Sequence, residues 1–141
     1  MAPAYIDSSA VIKLAVREPE TAALETYVAG CEGLVSSRLA VLECRRAARR
    51  VSRGRVLQAV DDVLDAVYLL DITQAILDGA AVVDPPLLRS LDAIHLATAL
   101  SLADVQVEVI TYDKRFADAA RANGLTVVQP DRRERLTAQF S

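Results

Sequence analysis

Short apolar runs alternate with longer segments of helical periodicity along the whole chain. Residues 4–6 (AYI) are an apolar run closing on Asp7 and read as a first buried strand. Ser8 and Ser9, good helix N-caps, precede a helix over 10–16. Glu18-Pro19-Glu20 opens a second helix that runs to Gly30, with Pro19 suited to its first turn. A brief strand over 33–36 leads to a helix over 39–52 that stops near Gly54. An amphipathic helix over 56–67 follows, with Leu57, Val60, Val63, Leu64 and Val67 on one side. Next come a strand over 68–72, a short helix over 73–82 ended by Asp84-Pro85-Pro86, and a strong helix over 88–103. A clear strand over 107–112, a helix over 114–123 stopped by Gly124, and a last strand over 125–129 complete the pattern. Short, nearly all-apolar strands separated by helices predict an α/β fold, with a mostly parallel sheet covered by helices on both faces.

Composition adds a size and a charge pattern. A chain of 141 residues, 52% hydrophobic, is expected to form one domain over 1–141, with a charged tail from about residue 131. The net charge of −3 does not mark a nucleic-acid binder, but the charge is unevenly spread. Residues 38–55 carry seven arginines against the single acid Glu43, a local balance of +6. Residues 56–84 carry six aspartates and no base, a balance of −6. Such asymmetry suits a polyanion on one side. Two cysteines, Cys31 and Cys44, and one histidine cannot build a usual zinc site. The N-terminus, MAPAYIDSS, has no basic start and no long apolar stretch, so a cytoplasmic chain with reduced thiols and no membrane span is expected.

Four acids stand against the local pattern. Asp7 and Asp113 each end a strand, and in open α/β sheets ligands bind beyond the carboxyl ends of the strands. Asp92 is the only acid in LDAIHLATALSLA, a helix apolar almost all round, so burial is expected; an ionised carboxylate there needs a partner or a cation. Glu43 borders the apolar side of its helix rather than the arginine-rich side. Each acid also has an ordinary reading. Asp7 and Asp113 suit helix caps, Asp92 a first helical turn, and Glu43 a pair with Arg46 or Arg50. Taken together, carboxylates converging at one sheet edge repel one another and stay ionised only beside a cation. Oxygen ligands favour Mg2+ or Mn2+, which assist in-line attack on a phosphodiester.

Other residues qualify this picture. Ser9 and Thr111 flank the acids and suit hydrogen bonds to a carboxylate, although both also fit ordinary cap and strand positions. His95, three residues after Asp92, suits either a general base or a buried structural histidine, and the second is the favoured reading. Arg45, Arg46, Arg49 and Arg50 cover one helix surface, either for RNA phosphates or for pairing with Asp61, Asp62 and Asp65. Cys44, beside Glu43, reads as packing, because no Cys–His–acid order suggests a thiol mechanism. A phospho-accepting receiver domain is disfavoured because Asp61-Asp62 falls in a helix. A haloacid-dehalogenase-type phosphatase is disfavoured because Asp7-Ser8-Ser9 lacks an acid two positions on.

In this order the motifs are recognisable. A strand running into Asp7-Ser8-Ser9-Ala10, the helical Glu43, the segment SLDAIHLATA over 90–99 and TYDKRF over 111–116 together resemble the PIN-domain family. Within that family they resemble the VapC-type toxins of bacterial toxin–antitoxin pairs. The resemblance covers essentially the whole chain. It implies a three-layer α/β/α sandwich and metal-dependent cleavage of RNA, tRNA or rRNA, by Asp7, Glu43, Asp92 and Asp113. Asp7, Asp92 and Asp113 would hold Mg2+ or Mn2+. A cognate VapB-type antitoxin and a homodimer are implied as well. One position departs from the pattern: many relatives carry a further acid two residues after the last aspartate, where this chain has Arg115. Asp118, one turn on, is expected to face solvent rather than replace it.

Overall fold

The computed structural model describes residues 3–51 and 54–131. Arg53 and the expected tail beyond Asp131 lie outside the described residues. Five strands form one sheet: β1 (Ala4–Ile6), β2 (Leu34–Ser37), β3 (Val67–Leu70), β4 (Glu108–Ile110) and β5 (Thr126–Val128). Their order is β3-β2-β1-β4-β5, and every neighbouring pair runs parallel. The chain builds outward from β1 to β2 and β3, then crosses back to place β4 on the other side of β1. The switch point of the sheet therefore lies between β1 and β4, where Ile6 pairs with Ile110.

Helices cover both faces, giving the expected three layers. On one face, Ala4 and Ile6 of β1 pack with α1 (Ser8–Ala15), α2 (Thr21–Ala29), α3 (Leu39–Val51) and α4 (Gly54–Asp65) in a single apolar core. Tyr5, the alternate residue, points to the other face and joins Leu96, Phe116 and Ala119. That second core is closed by two helices numbered here α6 (Ser90–Leu100) and α7 (Lys114–Ala122). Beyond it, α5 (Gln74–Val82) packs against α6, with Gly79 set beside Ala97. This outer cover explains why α6 is apolar nearly all round. Gly124, at φ +86°, supplies the left-handed turn between α7 and β5.

Several boundaries shift for local reasons. The first helix begins at Ser8, because Asp7 is its N-cap and accepts from Ala10 N–H at 3.1 Å; Ser8 and Ser9 are therefore helical rather than caps. Pro19 precedes α2 rather than lying in its first turn. The helix α6 is shorter than 88–103, and a 3-10 turn over Ala103–Val105 follows it. Leu57, expected on the apolar side of α4, stays 42% exposed, while Val60 and Leu64 are buried.

Candidate active site

Parallel pairing brings Asp7 and Asp113 to the same edge of the sheet. The backbone N–H of Asp7 donates to Ile110 O at 3.2 Å, which carries the β1–β4 ladder one residue past the strands. Two hydroxyls then join the strand ends. Thr111 Oγ1 donates to Asp7 Oδ2 at 2.5 Å and accepts the Asp113 N–H at 3.0 Å. Ser9 Oγ donates to Asp7 Oδ1 at 2.7 Å and accepts the Tyr112 N–H at 2.9 Å. Asp7 is thus buried with three donors on its carboxylate. Burial nevertheless dominates and pushes its pKa upward, against the Thr111, Ser9 and Ala10 hydrogen bonds and the nearby His95. Asp113 caps α7, accepting the Phe116 N–H at 3.1 Å. The cap reading holds for both Asp7 and Asp113, and capping fixes each carboxylate at the shared edge.

Glu43 reaches the same edge from α3. Its Oε1 accepts from Ser8 Oγ at 2.5 Å and meets His95 Nε2 at 2.6 Å. The ordinary reading of a pair with Arg46 or Arg50 is replaced by a pair with His95, on the opposite helical layer. Burial pushes Glu43 upward, but the His95 hydrogen bond, its charge and the Ser8 hydroxyl outweigh it and hold the carboxyl below its usual value. His95 is buried, as the structural reading expects, and its other nitrogen meets Tyr5 Oη at 2.6 Å.

Asp92 corrects one expectation. It is half-buried rather than buried, because it lies in the first turn of α6, where the helix emerges at the sheet edge. It accepts no hydrogen bond from the described residues. Partial burial raises its pKa first, then the charges of Asp113 and Glu43, while His95 and Arg89 oppose them. Asp92 therefore feels both Asp113 and Glu43, so acids from three different elements share one electrostatic neighbourhood. Among the described residues, no three His, Cys, Asp or Glu side chains are spaced to close around a metal ion. The donor set is all oxygen and partly exposed, which fits a Mg2+-like ion that keeps several waters and takes one or two carboxylates, rather than a closed protein cage.

The surroundings sort the remaining candidates. A groove of about 470 Å³ runs beside Glu43, lined by Ser8, Ser9, Lys13, Arg50 and Tyr112 among others. Arg45 pairs with Asp61 at 3.1 Å across the α3–α4 contact. Arg46, Arg49 and Arg50 are exposed and make no ion pair with the described residues. Asp118 is exposed and pairs with Lys114 at 2.9 Å, as expected for a surface acid. Cys44 is fully buried and burial pushes its thiol up to about 12, which suits packing. Ser8, which donates to Glu43, and Tyr5, which reaches Glu43 only through His95, go unmarked as site residues by sequence reasoning. The only signal for Tyr5 is a hydroxyl in an otherwise apolar strand.

The sequence profile of the PIN domain matches residues 4–122. The chain belongs to the PIN-domain family. This PIN domain is of the VapC type. It is 44% identical over 137 residues to ribonuclease VapC46 of Mycobacterium tuberculosis, covering 92% of this chain and 99% of that protein. Among solved structures, it is similar to VapC20 of Mycobacterium tuberculosis, described as a sarcin–ricin loop cleaving toxin. That likeness has a TM-score of 0.71 at 17% identity, over 89% of this chain and 98% of the other. A toxin–antitoxin complex from Klebsiella pneumoniae is similar with a TM-score of 0.67 at 23% identity, over 90% and 97% of the two chains. These two likenesses show the fold of the PIN domain.

Proposed function

We propose that this PIN domain is a metal-dependent endoribonuclease and the toxin of a toxin–antitoxin pair. The observation that carries the reading is Asp92, which has no hydrogen-bond donor among the described residues and lies between the charges of Asp113 and Glu43 at the switch point of the sheet. An acid cluster that His95 and Arg89 neutralise only in part fits a divalent cation, Mg2+ or Mn2+, taken by one or two of Asp7, Asp92 and Asp113 with water completing its shell. When bound, such an ion supplies positive charge that activates water and steadies phosphodiester oxygens. Glu43 orients the attacking water, with Oε2 as the oxygen left over after Ser8 and His95 take Oε1. Ser9 and Thr111 hold Asp7 in place. Arg46, Arg49 and Arg50 bind phosphates along α3, next to the groove that reaches Glu43.

The names of the relatives support RNA as substrate and an antitoxin as partner; rRNA or tRNA is the proposed RNA, and a VapB-type antitoxin covering the groove is the proposed partner. The protein acts as a homodimer in the cytoplasm; no helix among the described residues is long and apolar enough to cross a membrane. A non-catalytic relative that only binds RNA or a partner is the competing reading, resting on Arg115 in place of an acid. Incubating purified protein with total RNA, with and without divalent metal, separates the two. Cleavage with Mg2+ or Mn2+, lost on adding chelator and in Asp92→Asn, supports the nuclease. Equal cleavage in excess chelator overturns metal dependence, and no cleavage under any condition favours the binding protein.

A further inference from the structure

Across the sheet edge runs a buried chain of hydrogen bonds: Tyr5 on β1, His95 on α6, Glu43 on α3 and Ser8 on α1. It joins the two helical layers, because Tyr5 and His95 belong to one face and Glu43 and Ser8 to the other. Both imidazole nitrogens are occupied and His95 is only 3% exposed, so His95 has no nitrogen left for a proton transfer with substrate. We propose that Tyr5 and His95 are positioning residues that lock the Glu43 carboxylate in its working orientation by fixing which His95 nitrogen carries the proton. This rests on the proposed nuclease reading, in which Glu43 acts on water.

Donor counting sets the direction of the chain. Ser36 Oγ, near the Tyr5 hydroxyl, is buried and makes no hydrogen bond of good geometry, so it does not set the direction. The other end does: the Glu43 carboxylate can only accept, so His95 Nε2 must donate to it. In that tautomer Nδ1 accepts, and the Tyr5 phenol proton points at it. Oε1 thereby receives two donors, from Ser8 and His95, and the carboxylate cannot rotate without breaking both. Oε2 makes no hydrogen bond with the described residues. Partners of this kind, one step behind an acid that does chemistry, typically change rate about 10- to 100-fold when removed.

The chain has a single histidine, so one imidazole reports on the whole relay. We expect its ring-nitrogen NMR signals in the wild type to show a protonated Nε2 and an unprotonated Nδ1. In Tyr5→Phe the Nδ1 signal should shift, because that nitrogen has lost its hydrogen-bond donor. In steady-state cleavage with Mg2+, Tyr5→Phe should lower kcat about tenfold and His95→Leu about 100-fold, with KM for RNA nearly unchanged. His95→Gln, whose amide N–H reaches the position of Nε2, should recover most of the loss. An Nδ1-protonated ring, an unchanged ring in Tyr5→Phe, or an unaffected kcat in Tyr5→Phe and His95→Leu alongside a changed KM overturns the proposal. If the wild type cleaves no RNA, the nuclease reading fails, and the nitrogen pattern still decides the relay.

Discussion

The two flanks of the acid site are built on opposite principles. Asp7 is saturated, taking hydrogen bonds from Thr111, Ser9 and Ala10, and Glu43 is pinned through Oε1 by Ser8 and His95. Asp92 has no donor among the described residues and stands beside two like charges. Asp7 and Glu43 are fixed by the fold and keep their places whether or not a cation is present. In the proposed reading the bare acid is where a cation would contribute most, because His95 and Arg89 only partly offset the repulsion there.

That contrast is sharpest in Asp92→Asn. We expect RNA cleavage to fall roughly 10³-fold, on the scale of removing a key electrostatic interaction with the transition state, as checked by gel assay of total RNA. The same substitution should raise the melting temperature in chelator, measured by circular dichroism, because it removes a charge that is only partly compensated. Function and stability move in opposite directions at this residue, whereas at a purely structural acid they fall together.

On the saturated side, Thr111→Val should destabilise the fold by about 1–3 kcal/mol in urea titrations, since it takes a donor from a buried carboxylate. It should do so in chelator as much as in Mg2+.

The pH dependence separates Asp92 from Glu43 by sign, while Asp7, whose folded pKa is also raised, moves with Asp92. The folded pKa of Asp92 is raised, so the folded state holds that proton more tightly than the unfolded chain. Its contribution to metal-free stability is largest below the ordinary carboxylate pKa. It declines as pH rises through the window up to the raised folded value, and is constant above. The folded pKa of Glu43 is lowered, so its contribution is present above the ordinary value and disappears as pH falls through the lowered one. The stability gap between Asp92→Asn and wild type should therefore widen with rising pH across the carboxylate range in denaturant titrations; a gap that narrows would contradict the assignment.

The smallest expected effect lies outside the acids. Arg46→Ala with Arg49→Ala should weaken RNA binding several-fold and reduce the slope of affinity against salt by up to about two, one for each phosphate left without its arginine. An unchanged slope assigns those arginines to solvent.

Much of this is legible in the sequence, and what is not has physical causes. Apolar strands of three to four residues between helices suffice for a parallel sheet, and the two strand-end acids for its working edge. The expectation of a buried Asp92 fails because an all-round apolar pattern reports what packs around a helix, here α5 on the outside and the sheet within. It does not report where along its axis the helix leaves the core. The partner of Glu43 is beyond reach for another reason. Glu43 and His95 are 52 residues apart and belong to opposite layers, so neither periodicity nor spacing relates them. Local rules favour Arg46 or Arg50, on the same helix, and tertiary packing overrides them.

Thermal melting with increasing Mg2+ puts the bare acid to the most direct test. The melting temperature of the wild type should climb with Mg2+ as binding stabilises the folded state, and that of Asp92→Asn, already higher in chelator, should stay nearly flat. A wild type that Mg2+ leaves unmoved, or an equal rise in both proteins, would contradict a cation neutralising this cluster.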